Sequence, residues 1–317
     1  MLLINGLDAL QALDLDELYG DSPQSRSVVA VGVFDGVHLG HLRLLHNLLE
    51  MASALQATPT VVTFRNHPDQ LIHGKTPALL VSVEHRLRLL RRAGVHRLVT
   101  LDFEPRLMNM SPRQFAIDLL LDKLHMRGLL LGYDSALGKD RAGTPAFFEQ
   151  LGAELGFETQ VGEPVQIDEQ TVSSTLIREA IAQGDLAAAQ RYLGRFPSTI
   201  GEVVHGDGRG KTLGFPTANL VTECPVLPPN GVYAVEIIMD GRALPAIANL
   251  GVRPTFARDD KPVLEVHLLD FEGDLYGREL ELCFLEFLRP ERKFANVEEL
   301  KEQISADIAA ARRRLLA

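Results

Sequence analysis

The chain of 317 residues is poor in cysteine, has no tryptophan and is only 6% aromatic. Its two cysteines, Cys224 and Cys283, are too few for a disulfide framework or a four-cysteine zinc site, so a cytoplasmic protein without disulfides is expected. Long apolar runs are missing as well, since none approaches the roughly 18 residues that cross a bilayer. The opening segment lacks a basic flank and is interrupted by Asp8, Asp14 and Asp16, which argues against a signal peptide.

The chain also has fewer basic than acidic side chains. With 42 acidic against 32 basic side chains the formal net charge is −10, which argues against the broad positive field of a nucleic-acid-binding protein. Anionic ligands therefore need a local site, and the expected partners are small molecules, with no nucleic acid and no membrane. What the sequence does have is a 46% share of apolar residues, enough for two buried cores. Self-association is left open.

The first half of the chain alternates short apolar runs with helical patterns. "SVVAVGVF", "TVVTF", "HRLVTL" and "RGLLLG" each precede an amphipathic stretch. This alternation predicts an α/β domain with a parallel sheet and helices on both faces. Ser111 and Pro112 mark one helix start, because serine caps a helix and proline suits its first position.

The second half changes character near Gly194. Five apolar runs, from "STIGEVVHG" to "ELELCFLEFL", are separated by turn signals such as Asp240-Gly241. This pattern predicts an antiparallel β-barrel, whose closure removes exposed strand edges.

Helical patterns join the two halves and close the chain. Two short helices, the first ended by Gly184, connect the sheet to the barrel, so domains are predicted at 1–184 and 185–317. Asn296 followed by Glu299 has the spacing of a helix cap and precedes a helical apolar pattern. One terminal helix is therefore expected to pack on the barrel.

The stretch "VAVGVFDGVHLGHLRLL", residues 30–46, joins a strand to a helix. In an open α/β sheet, ligands bind beyond the carboxyl ends of the strands, where the next helix offers unpaired N–H groups to an anion. His38 and His41 are expected on the first helical turn, where their imidazole N–H groups can hold triphosphate oxygens during a phosphoryl or nucleotidyl transfer. A histidine pair alone more often caps or packs a turn. A zinc site would require further ligands, and the spacing of the sequence does not indicate any.

Three further stretches carry polar groups of the same kind. "SSTLIR", residues 173–178, puts hydroxyls and Arg178 at a predicted helix start, which suits phosphate binding but is by itself an ordinary cap. His67 follows a strand in "TFRNHP" and is by itself an ordinary loop residue. "GDGRGKTLGFPTANL", residues 206–220, has four glycines in nine residues, which predicts a flexible loop whose N–H groups wrap phosphate.

These strings together resemble a known family. "GVFDGVHLGH" and "SSTLIR" are similar to motifs of the nucleotidyltransferase superfamily in the form seen in bacterial FAD synthetases, the bifunctional riboflavin kinase/FMN adenylyltransferases. "PTAN", "NGVYAV", "NLGVRPTF", "EVHLLDF" and "LYGREL" resemble the riboflavin kinase domain of that family in the same order. The resemblance implies a Rossmann-like nucleotidyltransferase domain that makes FAD from FMN, then a riboflavin kinase barrel that makes FMN from riboflavin, both using ATP and Mg²⁺.

The resemblance also implies roles for individual residues. It implies catalytic roles for His38, His41 and Arg178 in adenylyl transfer, and for Glu265 as the carboxylate that accepts the hydroxyl proton of riboflavin. Strand alternation places Glu265 on the more polar face of its strand, together with His267. Binding of nucleotide or flavin is implied for the remaining motif positions, which are Gly32, Phe34, Asp35, Gly36, Gly40, His67, Asp134, Ser173, Ser174, Thr175, Gly206, Gly208, Arg209, Gly210, Lys211, Gly214, Thr217 and Asn219. Thr217 and Asn219 are also the expected Mg²⁺ ligands, because two neutral oxygens suffice when the nucleotide phosphates supply the others.

One stretch departs from the family. The family usually has G-x-D-F-x-F-G where this chain has "GYDSALG", so that Ser135 and Leu137 replace two aromatic residues. Two alternatives therefore stay open: a riboflavin kinase with a decayed adenylyltransferase domain, and a non-catalytic flavin- or nucleotide-binding regulator. The presence of Glu265 argues against the regulator, because binding alone needs no proton acceptor.

Overall fold

The computed structural model describes residues 2–206, 209–222, 224, 226–252 and 262–315. The chain divides into two compact units, of which the first is Met1–Ala78 with Arg86–Ser173 and the second is Leu79–His85 with Ser174–Ala317. The domain boundary at residue 184 stays a prediction. Within the described ranges, no helix combines the length and the apolar character that crossing a bilayer requires.

The first unit is built on a six-stranded parallel sheet. Its strands are β1 (Leu2–Asn5), β2 (Ser27–Val31), β3 (Thr58–Phe64), β4 (Arg97–Leu101), β5 (Met126–Gly132) and β6 (Glu158–Gly162). They lie in the order β1-β4-β3-β2-β5-β6, so β1 and β6 form the edges. The predicted parallel sheet is confirmed. The two edge strands went unrecognised in the sequence because each is partly exposed and lacks the continuous apolar character of the central strands.

Helices follow most strands of the first half, as predicted. They are α1 (Leu7–Gln11), α2 (Leu15–Tyr19), α3 (Leu39–Ala54), α4 (Pro68–His73), α5 (Val83–Arg92), α6 (Pro105–Met108), α7 (Pro112–Gln114) and α8 (Pro145–Leu155), with short 3₁₀ turns at Pro23–Ser25 and Lys139–Arg141 and a π-helical segment at Phe115–Leu121. Ser111 caps α7 through the Gln114 N–H, and the Gln114 side chain in turn accepts from the Ser111 N–H. The predicted helix start at Ser111-Pro112 is confirmed.

A closed antiparallel barrel forms the centre of the second unit. After a small hairpin in the first unit, β7 (Gln166–Ile167) with β8 (Gln170–Thr171), the barrel strands are β9 (Ser198–Val204), β10 (Ala218–Thr222), β11 (Gly231–Met239), β12 (Arg242–Val252), β13 (Pro262–Leu268) and β14 (Glu279–Arg289). Their circular order is β10-β13-β12-β11-β14-β9. Asp240 and Gly241, with φ of 51° and 76°, make the predicted two-residue turn between β11 and β12. The barrel is thus confirmed, with β10 as an additional strand.

The second unit also contains α9 (Ser174–Ala182), α10 (Leu186–Leu193), α11 (Arg209–Leu213) and α12 (Val297–Leu315). The Asn296 side chain accepts from the Glu299 N–H at 2.8 Å, which confirms the predicted start of the terminal helix. Apolar side chains of α12, including Ile304, Ile308 and Ala311, pack on the barrel. The glycine-rich stretch expected to be a flexible loop contains the helical turn α11, so that part of the prediction was wrong.

Candidate active sites

The turn that follows β2 has an unusual backbone. β2 ends at Val31 rather than at Phe34 as the apolar run suggested, because Phe34 has φ 55° and leaves the extended conformation. Gly36 has φ 78° and Val37 has φ 41°. A β-branched residue at positive φ is rare and costs of the order of 1–3 kcal/mol, and such strain concentrates at functional sites.

His38 and His41 occupy the start of α3. The Nδ1 atom of His38 accepts from the backbone N–H of His41 at 3.3 Å, so in the neutral ring the proton of His38 is on Nε2. The two rings are stacked with centroids 3.6 Å apart, and Phe34 lies 5.2 Å from the His41 ring. A Cβ atom at Gly40 would lie 3.1 Å from Nδ1 of His38, so glycine is what permits this ring position. His38 and Asp35 are both buried.

A cavity of about 450 Å³ opens beside this turn and is here called the N-terminal cavity. Of the predicted binding residues, Gly32, Phe34, His41, His67 and Asp134 line it. Asp35, Gly36, His38 and Gly40 belong to the same turn but do not contribute to the lining.

His67 is held as the cap of α4. Its Nδ1 accepts from the Asp69 N–H at 3.2 Å, which again leaves the proton of a neutral ring on Nε2. The Asp69 carboxylate also lies 3.6 Å from the same Nδ1, an ion pair that requires the opposite protonation. We favour the cap, because its N–H is a fixed donor whereas the carboxylate is 44% exposed.

The loop after β5 keeps its form without the two aromatic residues of the family. The Ser135 hydroxyl accepts from the Gly132 N–H at 2.9 Å, and the backbone of Leu137 pairs with that of Gly143. A Cβ atom at Gly138 would lie 2.7 Å from the backbone of Pro112, so the loop is closely packed there. Aromatic surface in the cavity comes instead from elsewhere in the chain, namely from Phe34, Phe64, Phe103 and Phe115.

The "SSTLIR" motif spans the end of one unit and the start of the other. Ser173 ends the first unit, while Ser174, Thr175 and Arg178 lie on α9 in the second. Arg178 contacts the Thr175 hydroxyl at 3.5 Å, a long hydrogen bond. The helix start expected from the sequence is confirmed, and the participation of these residues in nucleotide binding remains a prediction.

A second cavity of about 380 Å³, here called the barrel cavity, lies within the second unit. Gly210, Thr217 and Glu265 from the predicted set line it. Asn219 is buried on β10, directly opposite Glu265 on β13. Gly208 lies outside the described residues, as do the side chains of Arg209 and Lys211, and Gly214 is in the turn after α11 with φ 92°.

Two glycines of the glycine-rich stretch lie very close to the side chains of the two expected metal ligands. A Cβ atom at Gly206 would lie 2.0 Å from the amide nitrogen of Asn219, and one at Gly210 would lie 2.8 Å from the Thr217 hydroxyl. A side chain at Gly210 would collide with the Phe215 carbonyl at 2.4 Å, and one at Gly206 would displace the Asn219 side chain. The backbone therefore packs directly against the Thr217 and Asn219 side chains, as expected for a cradle that binds a small ion with phosphate.

Glu265 and His267 share a face of β13, as the alternation predicted, while Leu264 and Val266 point into the core. Nδ1 of His267 lies 2.7 Å from the Pro216 carbonyl, which only accepts, so Nδ1 is the donor. The ring of His267 also meets Phe215 edge-on with centroids 5.9 Å apart. His267 thus fixes the residue that precedes Thr217, a role that no motif in the sequence indicated.

Charged residues near the end of β14, left without a role in the sequence, also line the barrel cavity. Arg289 makes a bidentate ion pair with the buried Asp307 on α12, with its Nη2 at 2.8 Å. Glu291 accepts from the Asn249 amide at 3.0 Å. Arg292 lies over the Phe294 ring at 4.8 Å. These charged residues form one wall of the barrel cavity, and the ion pair with Asp307 attaches this wall to α12.

A strained turn that follows a strand of the parallel sheet, and a glycine-rich stretch packed against Thr217 and Asn219 of the second unit, are features expected of a two-site transferase that uses nucleotides. Family models agree with this class: one described as FAD synthetase matches residues 21–176, and one described as riboflavin kinase matches residues 193–315. Proteins named bifunctional riboflavin kinase/FMN adenylyltransferase are 40% identical in Pseudomonas fluorescens, over 93% of this chain and 95% of that protein, and 38% identical in Escherichia coli K12, over 92% and 93%. The chain belongs to the bifunctional riboflavin kinase/FMN adenylyltransferase family.

A solved structure agrees over nearly the whole length. It is described as a macrolide-efflux protein from Streptococcus pneumoniae, is 29% identical and aligns with a TM-score of 0.83 over 98% of this chain and 99% of that one. The export role in that description is said of that protein alone.

Proposed function

We propose that the second unit transfers the γ-phosphate of ATP to riboflavin, giving FMN, and that the first unit transfers AMP from ATP to FMN, giving FAD and pyrophosphate. The observation that carries the proposal is that each unit contains a cavity lined by residues of the corresponding motif. The lining of each cavity consists of residues from its own unit.

Adenylyl transfer is assigned to the N-terminal cavity. The phosphate of FMN attacks the α-phosphorus of ATP, the bond to the β-phosphate breaks, and charge grows on the leaving pyrophosphate. His38 and His67, each with Nδ1 engaged by a backbone N–H, present Nε2–H as the donor of a neutral ring. Of the three histidines, His41 and His67 line the cavity, and His38 is stacked on His41. We assign these imidazoles to stabilising the phosphate charge in the transition state, and the catalytic role of Arg178 stays what its motif implies.

Phosphoryl transfer is assigned to the barrel cavity, with Glu265 as the base. The primary hydroxyl of riboflavin attacks the γ-phosphorus, its proton passes to the Glu265 carboxylate, and ADP leaves. Glu265 lines the cavity and stands opposite Asn219, so the base and an expected metal ligand are neighbours on adjoining strands.

Magnesium is the metal that the residues fit best. Within the described residues no group of three His, Cys, Asp or Glu side chains is close enough to bind a metal. Thr217 and Asn219 instead carry neutral oxygens, and their side chains pack against Gly210 and Gly206, which suits an ion that arrives bound to ATP. When bound, the ion neutralises charge on the phosphates.

The cytoplasm is the proposed location, because Cys224 and Cys283 form no disulfide and ATP is the substrate of both reactions. The proposed ligands are riboflavin, FMN, FAD and ATP.

Incubation of the protein with riboflavin, ATP and Mg²⁺, followed by chromatography of the flavins, tests the proposal. FMN and FAD should both appear, and FAD alone should form from supplied FMN. FMN without FAD would favour a kinase with a decayed first unit, and unchanged riboflavin would favour a non-catalytic binding protein.

A further inference from the structure

Arg86, in α5, is an almost fully buried cation, with 1% of its surface exposed. It belongs to none of the motifs found in the sequence. Its Nη1 donates to the Val33 carbonyl at 2.8 Å, and its Nη2 donates to the Phe64 carbonyl. One guanidinium therefore joins the chain just beyond β2 to the end of β3.

The two carbonyls belong to segments that lead directly into the proposed adenylyl site. Val33 precedes Phe34, where the strained turn toward His38 and His41 begins. Phe64 ends β3, and the chain reaches His67 three residues later. Val33 and Phe64 both line the N-terminal cavity. Arg86 thus contributes to the relative position of the two histidine-bearing segments, together with the Thr63 hydroxyl, which also donates to the Val33 carbonyl at 3.0 Å.

The charge of Arg86 has a second consequence. Asp35 is buried in the same turn, with 4% of its surface exposed. Burial lowers the pKa of Arg86, and the negative charge of Asp35 raises it again. The guanidinium of an arginine in a protein stays protonated, so Arg86 is a cation. Without Arg86 the Asp35 carboxylate would lose this compensating charge beside a site for triphosphate, which it would repel.

We propose that Arg86 is a positioning residue for adenylyl transfer: its forked side chain sets the spacing of the His38/His41 turn and the His67 segment, and its charge compensates Asp35. This inference rests on the proposed function of the N-terminal cavity. The two parts of the proposal affect different kinetic constants. The spacing of the two segments acts on the transition state, whereas compensation of the Asp35 charge acts on the binding of ATP.

The same sheet contains a matched control. Arg97, on β4, is also 1% exposed, and burial lowers its pKa too. Its Nη1 donates to the Ser27 hydroxyl at 2.6 Å and its Nη2 to the Gln24 carbonyl. Ser27 is the first residue of β2, so Arg97 binds the opposite end of the strand that Arg86 holds. Loss of either arginine removes a buried cation, but only one of them lies near the site.

The test compares Arg86→Lys and Arg86→Met with Arg97→Lys and Arg97→Met. Lysine keeps the charge but is a point donor that does not span two carbonyls as the guanidinium fork does. We expect Arg86→Met to lower kcat of FMN adenylylation by roughly 10- to 100-fold and to raise KM for ATP about 10-fold. Arg86→Lys should restore KM while kcat stays low. The Arg97 variants should change both constants by less than about 3-fold, and riboflavin kinase activity in each variant reports whether the rest of the chain is folded.

Amide hydrogen exchange gives a readout that does not depend on activity. Exchange should become faster at residues 33–37 and 65–69 in Arg86→Lys and stay unchanged there in Arg97→Lys. If Arg86→Met fails to fold, Arg86→Lys decides the question. Wild-type kcat and exchange in Arg86→Lys, or an equal loss of kcat in Arg97→Lys, would overturn the positioning role. Failure of the wild-type protein to convert FMN to FAD would instead refute the proposed function, and the exchange data would still decide whether Arg86 fixes the two segments.

Discussion

The imidazole ring of His38 is stacked on that of His41, with an angle of 19° between the ring planes, and Gly40 between them leaves the His38 ring in place, where a Cβ atom would lie 3.1 Å from it. The same two residues are joined by the bond from the His41 N–H to Nδ1 of His38. The planes of the two rings are therefore nearly parallel. The pair is therefore one structural unit, and a change to either ring or to Gly40 acts on both.

Gly40→Ala tests that unit without removing a donor. The added Cβ would lie 3.1 Å from the His38 ring, which must shift by a few tenths of an ångström. We expect kcat of FMN adenylylation to fall roughly 10-fold, and that of His41→Ala roughly 100-fold or more, because the second change deletes a donor outright. Steady-state kinetics with FMN checks both, with riboflavin phosphorylation as the control. Joint loss of both activities in a folded variant would contradict two separate sites.

Glu265→Gln tests the base of the kinase reaction. The amide keeps the shape of the side chain but does not accept the riboflavin proton, so kcat of phosphorylation should fall by about 10²- to 10⁴-fold. Glu291→Gln is the matched control, because Glu291 lines the same cavity and its contact from the Asn249 amide does not require a charge. FAD formation from supplied FMN should persist in both. Normal phosphorylation by Glu265→Gln would exclude this residue as the base.

His267 offers a test of how the Thr217 segment is held. Its Nδ1–H donates to the Pro216 carbonyl, and asparagine has an amide N–H in a similar place whereas leucine has none. We expect His267→Leu to raise KM for Mg-ATP in the kinase reaction about 10-fold, corresponding to about 1.4 kcal/mol, and His267→Asn to recover most of it. Kinase assays at varied Mg-ATP provide the measurement. Equal constants for the two variants would mean that the bond to Pro216 does not matter.

Magnesium should bind the barrel cavity only together with nucleotide. Thr217 and Asn219 are neutral, so most of the charge that attracts the ion belongs to ATP. Calorimetry of the nucleotide-free protein with MgCl₂ should give little heat, and addition of a non-hydrolysable ATP analogue should restore binding. Thr217→Val is the control, because it keeps the shape and removes the hydroxyl oxygen. A tight stoichiometric site in the nucleotide-free protein would contradict this assignment.

Leu137→Phe tests the departure from the family in the loop after β5. Leu137 lines the N-terminal cavity, so an aromatic ring there adds a stacking surface worth about 0.5–1.5 kcal/mol. KM for FMN or for ATP should fall by about 2- to 10-fold with kcat nearly unchanged, since a binding surface acts on both ground and transition state. Ser135 is better left intact, because its hydroxyl caps the Gly132 N–H, and Ser135→Ala should weaken activity. A fall in kcat in Leu137→Phe would show that the loop has been disturbed instead.

Local sequence patterns determined a large part of this protein. The alternation of apolar runs and helical patterns predicted the parallel sheet, and the turn at Asp240-Gly241 predicted a hairpin of the barrel, because both depend on neighbours in the chain. The histidine pair and the "PTAN" string were recognisable for the same reason. Each motif is a continuous segment whose chemistry is carried by its own residues.

Only the tertiary structure decided which distant groups support those motifs. Arg86 reaches the carbonyls of Val33 and Phe64, and His267 reaches that of Pro216, across separations that leave no periodic signal. The phenylalanines of the N-terminal cavity likewise come from four separate segments. The edge strands are short and partly exposed and β10 has only five residues, and these strands were missed because they are stabilised by pairing rather than by their own composition. The sequence determined the elements and the reactive groups, and the packing of remote backbone carbonyls against buried side chains decided their positions, because such contacts exist only once the chain has folded.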